Sequence, residues 1–295
     1  MFGLLNLDKP AGWTSRDVVT RIARLAGRRI KVGHAGTLDP LATGVLVVCV
    51  GSTTRLVPLI HEHSKTYEAE FQLGVRSQTV DIDGEMTPVD IPAGITVDTL
   101  RKVLPEFTGT VSQVPPMYSA VKINGKRAYQ AARRGEEFDL SPRDVRIERL
   151  QLTAFDPETF RFSLSIDCGT GTYVRSLGRD IAQRLGTDAV MSRLVRTHVG
   201  PFSVCDSLDP EQLTREQLPE LLISPLTMLP HLPHIVLPDE EIQRLEFGQT
   251  VHWPETRPRP VGGKLVIVDS TNRLRSIVAE QEGKIAPQLV FKLTG

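Results

Sequence analysis

The segment that decides the fold is GHAGTLDPLATGVLVVCV, residues 33–50, in which a glycine-rich stretch precedes an unbroken apolar run. The valine-rich run at 45–50 is typical of a β-strand that is buried on both faces. Residues 33–44 contain three glycines and one proline, too many for a helix or a strand, so we predict a loop. This loop contains His34 and Asp39, and a polar loop held by a rigid strand is a common place for chemistry.

These loop residues allow more than one interpretation. An Asp before a Pro commonly opens a turn or caps a helix, and Asp39 precedes Pro40. A metal site would need a third ligand besides His34 and Asp39, and none lies nearby in the sequence. The residues by themselves therefore leave Asp39 as either a turn residue or the carboxylate of a functional loop.

The composition bounds the class of protein. The chain has 295 residues, of which 40% are hydrophobic and 24% charged, which suits a large globular domain with a smaller second one. No apolar run reaches transmembrane length and the N-terminus lacks a signal peptide, so we expect a cytoplasmic protein with no membrane partner. Three widely separated cysteines argue against a disulfide framework and against a zinc site.

The charges are segregated along the chain although the net charge is zero. Residues 1–34 carry seven Lys or Arg against two acids, and residues 121–134 carry five and no acid. A segregated basic surface is expected where a protein contacts phosphates. Charge runs are also common on solvated helix faces, so this signal alone does not decide the partner.

The periodicity of the remaining chain predicts an α+β fold. We expect strands at 66–73, 146–155, 160–168 and 189–199, with helices after Thr14, over 97–104, and from about 173 to 185 with Thr172 as its cap. Three strand-like runs, at 264–269, 274–280 and 286–293, predict a small β domain over residues 235–295.

Several segments resemble the motifs of the TruB family of tRNA pseudouridine synthases, in the order of that family. They are LDKPAGWTS at 7–15, GHAGTLDPLATGVL at 33–46, KTY at 65–67, PPMYSAVKINGKRAY at 115–129 and GTYVRSL at 171–177. The resemblance covers about residues 3–200 and implies a mixed, mostly antiparallel sheet with flanking helices over residues 1–230. The C-terminal region is a looser match to a PUA-like RNA-binding domain. It departs from the family at Ser77-Gln78-Thr79, where the family usually has Thr-Asp-Thr.

The resemblance implies an enzyme that isomerises uridine 55 in the T loop of tRNA to pseudouridine. It makes Asp39 the essential carboxylate, Arg175 its ion-pair partner and Tyr67 the ring that stacks on the flipped uracil. It implies that a thumb over residues 113–143 closes on the RNA. The further substrate-binding residues that it suggests are His34, which would fill the space of the flipped base, Lys9, which would also pack beside the catalytic loop, and Asp81, Tyr118, Lys122, Lys126, Arg127 and Leu194.

The implied reaction gains and loses no atoms, so we expect no redox cofactor, no ATP and no metal. We expect a monomer whose partner is the T stem-loop of tRNA. Two other functions remain open from the sequence. One is a non-catalytic protein that binds or folds tRNA, for which a carboxylate at Asp39 has no purpose. The other is a metal hydrolase that uses His34, Asp39 and either His61 or His63.

Overall fold

The computed structural model describes residues 1–118, 122–123, 126–127, 140–253, 263–281 and 283–292. Its helices are α1 (Ser15–Ala26), α2 (Val57–His61), α3 (Val97–Val103), α4 (Val174–Arg184) and α5 (Asp239–Glu246). Its strands are β1 (Gly3–Lys9), β2 (Val32–His34), β3 (Thr43–Val50), β4 (Lys65–Leu73), β5 (Val75–Arg76), β6 (Thr87–Pro88), β7 (Gly109–Gln113), β8 (Lys122–Ile123), β9 (Lys126–Arg127), β10 (Arg143–Asp156), β11 (Arg161–Cys168), β12 (Ala189–Val199), β13 (Phe202–Ser203), β14 (His234–Val236), β15 (Val251–His252), β16 (Lys264–Val268), β17 (Leu274–Gln281) and β18 (Lys284–Val290).

The main sheet of the described chain has nine strands in the order β1-β3-β12-β4-β11-β10-β7, with β2 paired to β3 and β13 paired to β12. All neighbours are antiparallel except β3 and β12, which run parallel and meet at Thr43 and Val195. This exception places the start of β3 beside the middle of β12. The predicted mixed, mostly antiparallel sheet with flanking helices is therefore confirmed.

Strand β3 is buried on both faces, as its apolar run predicts. Leu46, Val48 and Val50 pack toward α1, whereas Val45, Val47 and Cys49 pack on the opposite face. Successive side chains of a strand point to opposite faces, so an apolar residue is required at every position. This strand gives the loop before it a rigid support.

Helix α1 begins at a capping box. The Thr14 hydroxyl accepts from the Asp17 backbone N–H, and the Asp17 carboxylate accepts from the Thr14 backbone N–H. The helix buries Val18 and Ile22 against β1 and β3. Helix α3 has a similar start, with Thr96 as its cap, as the sequence predicts.

Two expectations about local structure are wrong. His34 does not lie in the loop but ends the short strand β2, where it pairs with Val48. Thr172 does not cap α4, because the N-cap is Tyr173 and the Thr172 hydroxyl donates to the Gly169 carbonyl instead. In both cases a contact that the local sequence pattern does not encode decides the position of the residue. His34 pairs with β3, and Thr172 closes a turn at Gly169.

A second sheet of the described residues has the order β14-β16-β17-β18-β15. One face of this sheet forms its own core with α5, which includes Ile242, Leu265 and Ile285. Its other face contributes Val266, Ile277, Phe291 and neighbours to the same cluster that holds Val47 of β3. The C-terminal strands thus form a small β unit that shares a core with the main sheet.

Helix α4 lies close to the main sheet because one of its residues has no side chain. A Cβ placed on Gly178 would lie 2.0 Å from Phe71 Cε1 and 2.1 Å from Phe71 Cδ1. Phe71 is fully buried and stacks on Phe162 with ring centroids 5.0 Å apart, so it has little room to move. Gly178 therefore sets the distance between α4 and β4.

We predict that Gly178→Ala lowers the free energy of unfolding by about 2 kcal/mol, measured by urea denaturation. Overpacking a tight core costs about 1–3 kcal/mol, and a contact at 2.0 Å places this site at the upper end of that range. Subtracting the gain of about 1 kcal/mol from replacing a helical glycine by alanine leaves about 2 kcal/mol. The control is Gly169→Ala, whose Cβ would meet its nearest neighbour at 3.5 Å, an ordinary contact. In a Phe71→Leu background the penalty at Gly178 should shrink, and an unchanged penalty there would contradict this account.

Candidate active site

The loop that contains Asp39 is anchored by a buried lysine. Lys9, at the end of β1, is fully buried and its Nζ donates to the carbonyls of Pro10, Trp13 and Pro40 at 2.9, 2.5 and 3.1 Å. Burial lowers the pKa of the Lys9 ammonium from 10.5 to about 8. The lysine thus ties the turn after β1 to the residue that follows Asp39.

Helix α1 holds the other side of the same loop. The Ser15 hydroxyl accepts from the Leu38 N–H at 2.8 Å and donates to the Leu38 carbonyl at 3.1 Å. The loop ends at Gly44, where φ is +98° and a Cβ would lie 2.2 Å from the Arg196 carbonyl oxygen. Only glycine fits this approach between β3 and β12, which explains the residue at the end of the loop.

The Asp39 carboxylate forms a two-pronged ion pair with Arg175. Arg175 Nε lies 2.9 Å from one Asp39 oxygen and Nη2 lies 3.1 Å from the other. Arg175 stands in the first turn of α4, where the helix dipole disfavours a cation, so its anionic partner accounts for its position. The Asp39 side chain stays 33% exposed, so the fork fixes the carboxylate without covering it.

A second carboxylate supports Arg175 from behind. Arg175 Nη1 lies 3.3 Å from Asp81 Oδ2 and donates to the Thr79 carbonyl at 2.7 Å. Asp81 is buried, and burial raises the pKa of its carboxyl. Val80 between them adopts φ +60°, a strained conformation for a β-branched residue. The turn thus accepts backbone strain while it brings Asp81 to the guanidinium.

Tyr67 lies on β4 and Leu194 lies on β12, which are adjacent strands in the centre of the main sheet. Tyr67 is near the start of β4 and is directly opposite Arg196 of β12 in the register of the sheet. Its hydroxyl is hydrogen-bonded to the Arg196 guanidinium, and burial raises its pKa, so the hydroxyl is protonated at neutral pH. The predicted inward orientation of Tyr67 is confirmed by its burial.

Arg196 is a functional residue that the sequence reasoning missed. It is 1% exposed, and its guanidinium donates to the carbonyls of Val45 at 2.7 Å and Gly36 at 3.0 Å. It therefore connects the start of β3, the loop before Asp39 and the Tyr67 hydroxyl. An arginine two residues after the apolar Leu194, and therefore in line with it on the strand, is the one sequence signal that could have found it.

Lys65 adds a third cation to this region. Its Nζ donates to the carbonyls of His61 and His63 at 2.5 and 2.6 Å, and burial lowers its pKa to about 8. His61 lies beside it, and burial and Lys65 lower the pKa of the imidazole, so it is neutral at pH 7. Lys65 thus adds positive charge to the site, and its partners are backbone carbonyls and not a carboxylate.

The site contains a cavity of about 440 Å³. Asp39, Arg175, Tyr67, Leu194 and Tyr118 all face it, so the structure brings five of the predicted site residues together. Residues that the sequence reasoning did not assign to the pseudouridine synthase site also line it, namely Gly36, Thr37, Leu38, His61, Lys65, the turn 169–173, Val174 and Arg196.

Three predicted substrate-binding residues do not line this cavity. Lys9 and Asp81 are bound to the backbone and to Arg175 respectively, so their geometry is that of positioning residues. His34 lies near Arg196 and Arg16, with a buried Nδ1 that has no partner among the described residues and a pKa lowered chiefly by burial. Lys9 and Asp81 are buried with their polar atoms already engaged, whereas the half-buried His34 is held at the end of β2.

The predicted thumb is described only in part. Tyr118 is present, and its carbonyl accepts from Arg175 Nη2 at 3.1 Å. The backbones of β8 and β9 pair Lys122 with Arg127 and so bracket the predicted turn at 124–125. The turn itself, the predicted basic helix and the side chains of Lys122, Lys126 and Arg127 lie outside the described residues.

The metal-hydrolase arrangement does not form in the described chain. His61 lines the cavity, whereas His63 Nε2 pairs with the Met228 carbonyl at 2.7 Å on the side of the C-terminal unit. Among the described residues no three His, Cys, Asp or Glu side chains are grouped as metal ligands. None of the described helices has the length and apolar character needed to cross a membrane.

Solved structures share this fold over nearly the whole chain. A chain of a Cbf5–Nop10–Gar1 complex superposes with a TM-score of 0.70 and 25% identity, covering 99% of this chain and 84% of that one. A chain of the archaeal box H/ACA Nop10–Cbf5 complex superposes with a TM-score of 0.69 at 22% identity, covering 98% of this chain and 86% of that one. The fold is therefore that of the pseudouridine synthases.

Residues 23–174 match the N-terminal domain of the TruB family of pseudouridylate synthases, so this chain belongs to the TruB family. A protein of Dehalococcoides mccartyi named tRNA pseudouridine synthase B is 39% identical over 296 residues, covering 99% of this chain and 97% of that protein. A protein of an Arthrobacter species with the same name is 42% identical over 299 residues, covering 98% of this chain and 96% of that one. The expected family membership is confirmed.

The buried Lys9 predicts how stability depends on pH. Its pKa is about 8 in the folded protein and about 10.4 in an unfolded chain. Between these values the unfolded state binds more protons, so stability rises with pH through this window. We expect the unfolding free energy of the wild type, relative to Lys9→Met, to rise by about 1 kcal/mol between about pH 7.5 and about pH 9.

Urea denaturation of both proteins at several pH values measures this difference. Lys9→Met should also be less stable at neutral pH, because three loop carbonyls lose their donor. A difference that stays constant across the pH range would show that Lys9 titrates at its ordinary value in the folded protein.

Proposed function

We propose that the protein isomerises uridine 55 in the T loop of tRNA to pseudouridine. The observation that carries the proposal is the Asp39 carboxylate, held in both prongs of the Arg175 guanidinium and still open to a cavity that Tyr67 lines. Membership of the TruB family and the names of the relatives support the same reaction on tRNA.

The chemistry requires little besides a positioned carboxylate. The C1′–N1 bond of the uridine breaks, the uracil turns over, and C1′ bonds to C5, while C5 loses a proton and N1 gains one. A carboxylate can attack C1′ or C6, or it can remove the 2′ proton of the sugar, and Asp39 is available for each of these steps. Because both of its oxygens are held by Arg175, the carboxylate is oriented before the substrate arrives.

Tyr67 lines the cavity in which the detached base would turn. Its ring is available to stack on the uracil, and stacking on an aromatic side chain contributes about 1–3 kcal/mol per base. Its hydroxyl is a candidate proton relay, because it can accept the C5 proton as it passes its own proton to the uracil nitrogen that must gain one. Stacking here also excludes water that would otherwise hydrolyse the sugar intermediate.

The cavity suits one nucleotide removed from its stack. Its volume of about 440 Å³ lies within the range of about 300–1,000 Å³ that is usual for small-molecule sites. A uridine stacked in a folded loop can reach Asp39 only if it is flipped out, which costs a few kcal/mol. The cations Lys65 and Arg196 line the same cavity and favour a phosphorylated substrate.

The remaining parts of the chain complete the proposed grip on tRNA. We assign residues 113–143 to the RNA clamp, residues 1–230 to the catalytic domain and residues 235–295 to a PUA-like RNA-binding domain. In this proposal the protein acts as a monomer in the cytoplasm, where its substrate is found. A purely tRNA-folding protein would not need the exposed and oriented carboxylate of Asp39, so the geometry favours an enzyme.

We predict that Asp39→Asn abolishes turnover and keeps RNA binding. Asparagine has nearly the shape of aspartate but lacks the negative charge that the reaction and Arg175 both use. The measurement is tritium release from a T-arm hairpin labelled at uracil C5, together with the dissociation constant for the same hairpin, both in the presence of a chelator. Wild-type release in chelator would also count against a metal hydrolase.

The control for Asp39→Asn is Asp180→Asn. Asp180 is a partly buried carboxylate whose ion pair joins it to Arg179 of the same helix, away from the cavity lining. This variant should retain turnover. Loss of both binding and turnover in Asp39→Asn would instead assign Asp39 to structure.

We predict that Tyr67→Phe binds the hairpin with an affinity near that of the wild type but forms product at least about 100-fold more slowly. The ring that stacks is retained, whereas the hydroxyl that would accept the C5 proton is lost, and such groups contribute about 10²–10⁴-fold to a rate. Single-turnover product formation and hairpin binding measure the two effects separately. Equal rates in the two proteins would remove the hydroxyl from the mechanism.

A further inference from the structure

A groove outside the catalytic cavity runs along helix α1 and is lined by arginines. Its volume is about 580 Å³. Its floor contains Val19, Ala23, Gly27 and Val32, and the polar residues around it are Arg16, Thr20, Arg24, Arg28 and Arg215. No carboxylate is among its lining residues in the described part of the chain, although the whole chain has a net charge of zero. We call this feature the α1 groove.

The guanidinium groups of the α1 groove are exposed and largely unpaired. Within the described residues, Arg16, Arg24 and Arg28 take part in no ion pair. The nearby Asp17 carboxylate is engaged by the Thr14 N–H and hydroxyl at the helix cap. Arg215 interacts electrostatically with Glu216. Unpaired arginines gathered in a concave surface are suited to bind several phosphates.

Helix capping explains only part of this arrangement. Arg24 lies in the last turn of α1, and Arg215 donates to the Arg24 carbonyl at 3.3 Å, so both sit where the helix dipole favours cations. Arg16 lies in the first turn, where the dipole disfavours a cation. An external anion that spans the groove would account for cations at both ends.

The α1 groove adjoins the residues of α1 that hold the loop containing Asp39. Ser15 binds the Leu38 backbone, and Arg16 is close enough to lower the pKa of His34 after burial, Arg196 and His61. Leu38 is bound from α1, whereas Asp39 is bound by Arg175 of α4, so the loop lies between these two helices. From its start at the loop, α1 extends for 12 residues, which is about 18 Å.

We propose that the α1 groove binds the sugar–phosphate backbone of tRNA outside the T-arm hairpin. The inference rests on the proposed function, because it takes the catalytic cavity to hold the flipped nucleotide of that hairpin. Tyr118, at the start of the proposed clamp, lies on the Arg175 side of the cavity. When the clamp holds the T-arm hairpin from that side, the α1 side is accessible to a different segment of a folded tRNA. The exposed arginines of the α1 groove are complementary to the negative charge of that segment.

The test removes two charges that support no other contact in the described structure. The double variant Arg24→Gln/Arg28→Gln leaves Arg16 intact, because Arg16 influences His34. The control, Arg101→Gln/Lys102→Gln, removes two exposed charges in and around the last turn of a different helix, α3. Dissociation constants are measured for an unmodified full-length tRNA transcript and for the T-arm hairpin over a range of salt concentrations.

We expect the groove variant to bind full-length tRNA about tenfold more weakly at low salt, with a smaller dependence on salt. Each phosphate contact contributes about 0.7–0.9 to the slope of log affinity against log salt, so two lost contacts should reduce the slope by about 1.4–1.8. Hairpin binding and hairpin turnover should stay at the wild-type level, and the α3 control should match the wild type on both RNAs.

Three results would overturn the proposal. Unchanged tRNA affinity and slope in the groove variant would show that the groove does not bind RNA. Equal losses on tRNA and hairpin would place the contact within the T arm, and an equal loss in the α3 control would show only a general charge effect. Failure of the proposed function is distinguishable, because the wild-type protein itself would then release no tritium from the labelled hairpin.

Discussion

The ion pair between Arg175 and Asp39 is the interaction on which the rest of the site depends. One guanidinium, 6% exposed, connects helix α4, the loop before β3, the turn that contains Asp81 and the backbone of Tyr118. A buried charge that loses its partner is costly, typically by several kcal/mol. Removal of any one of these partners would therefore disturb the others, so the Asp39 carboxylate and the entry to the proposed clamp are coupled through one side chain.

Three further cations organise the backbone around this pair in a different way. Lys9, Lys65 and Arg196 are buried, and each donates to two or more carbonyl oxygens of loops or strand ends. Carbonyl groups in irregular segments have no sheet or helix partner, and a buried cation can satisfy several at once. Because Lys65 and Arg196, which line the cavity, are paired with dipoles and not with acids, they leave positive charge at the cavity wall within the described residues.

The C-terminal β unit is joined to the catalytic sheet through a shared core. Side chains of β16, β17 and Phe291 pack in the same cluster as Val45, Val47 and Cys49 of β3. This cluster supports the opposite face of the strand that carries the catalytic loop. Truncation of the C-terminal unit would therefore expose apolar surface behind Asp39, in addition to removing any RNA contacts that the unit makes.

Local patterns in the sequence determined the buried strand at 45–50, the inward orientation of Tyr67 and the caps at Thr14 and Thr96. The family resemblance implied the mostly antiparallel sheet. The family motifs pointed to Asp39 and Arg175 as partners. Such features depend on short-range periodicity and on contiguous residue types. Only the tertiary structure decided that Lys9 and Asp81 support the loop and Arg175 respectively, that His34 ends a strand, and that Arg196 joins Tyr67 to Gly36. The physical reason is sequence separation, because the pairing of β1, β2 and β12 with β3, of β4 with β12, and of Asp81 with Met191 brings these residues together from distant parts of the chain.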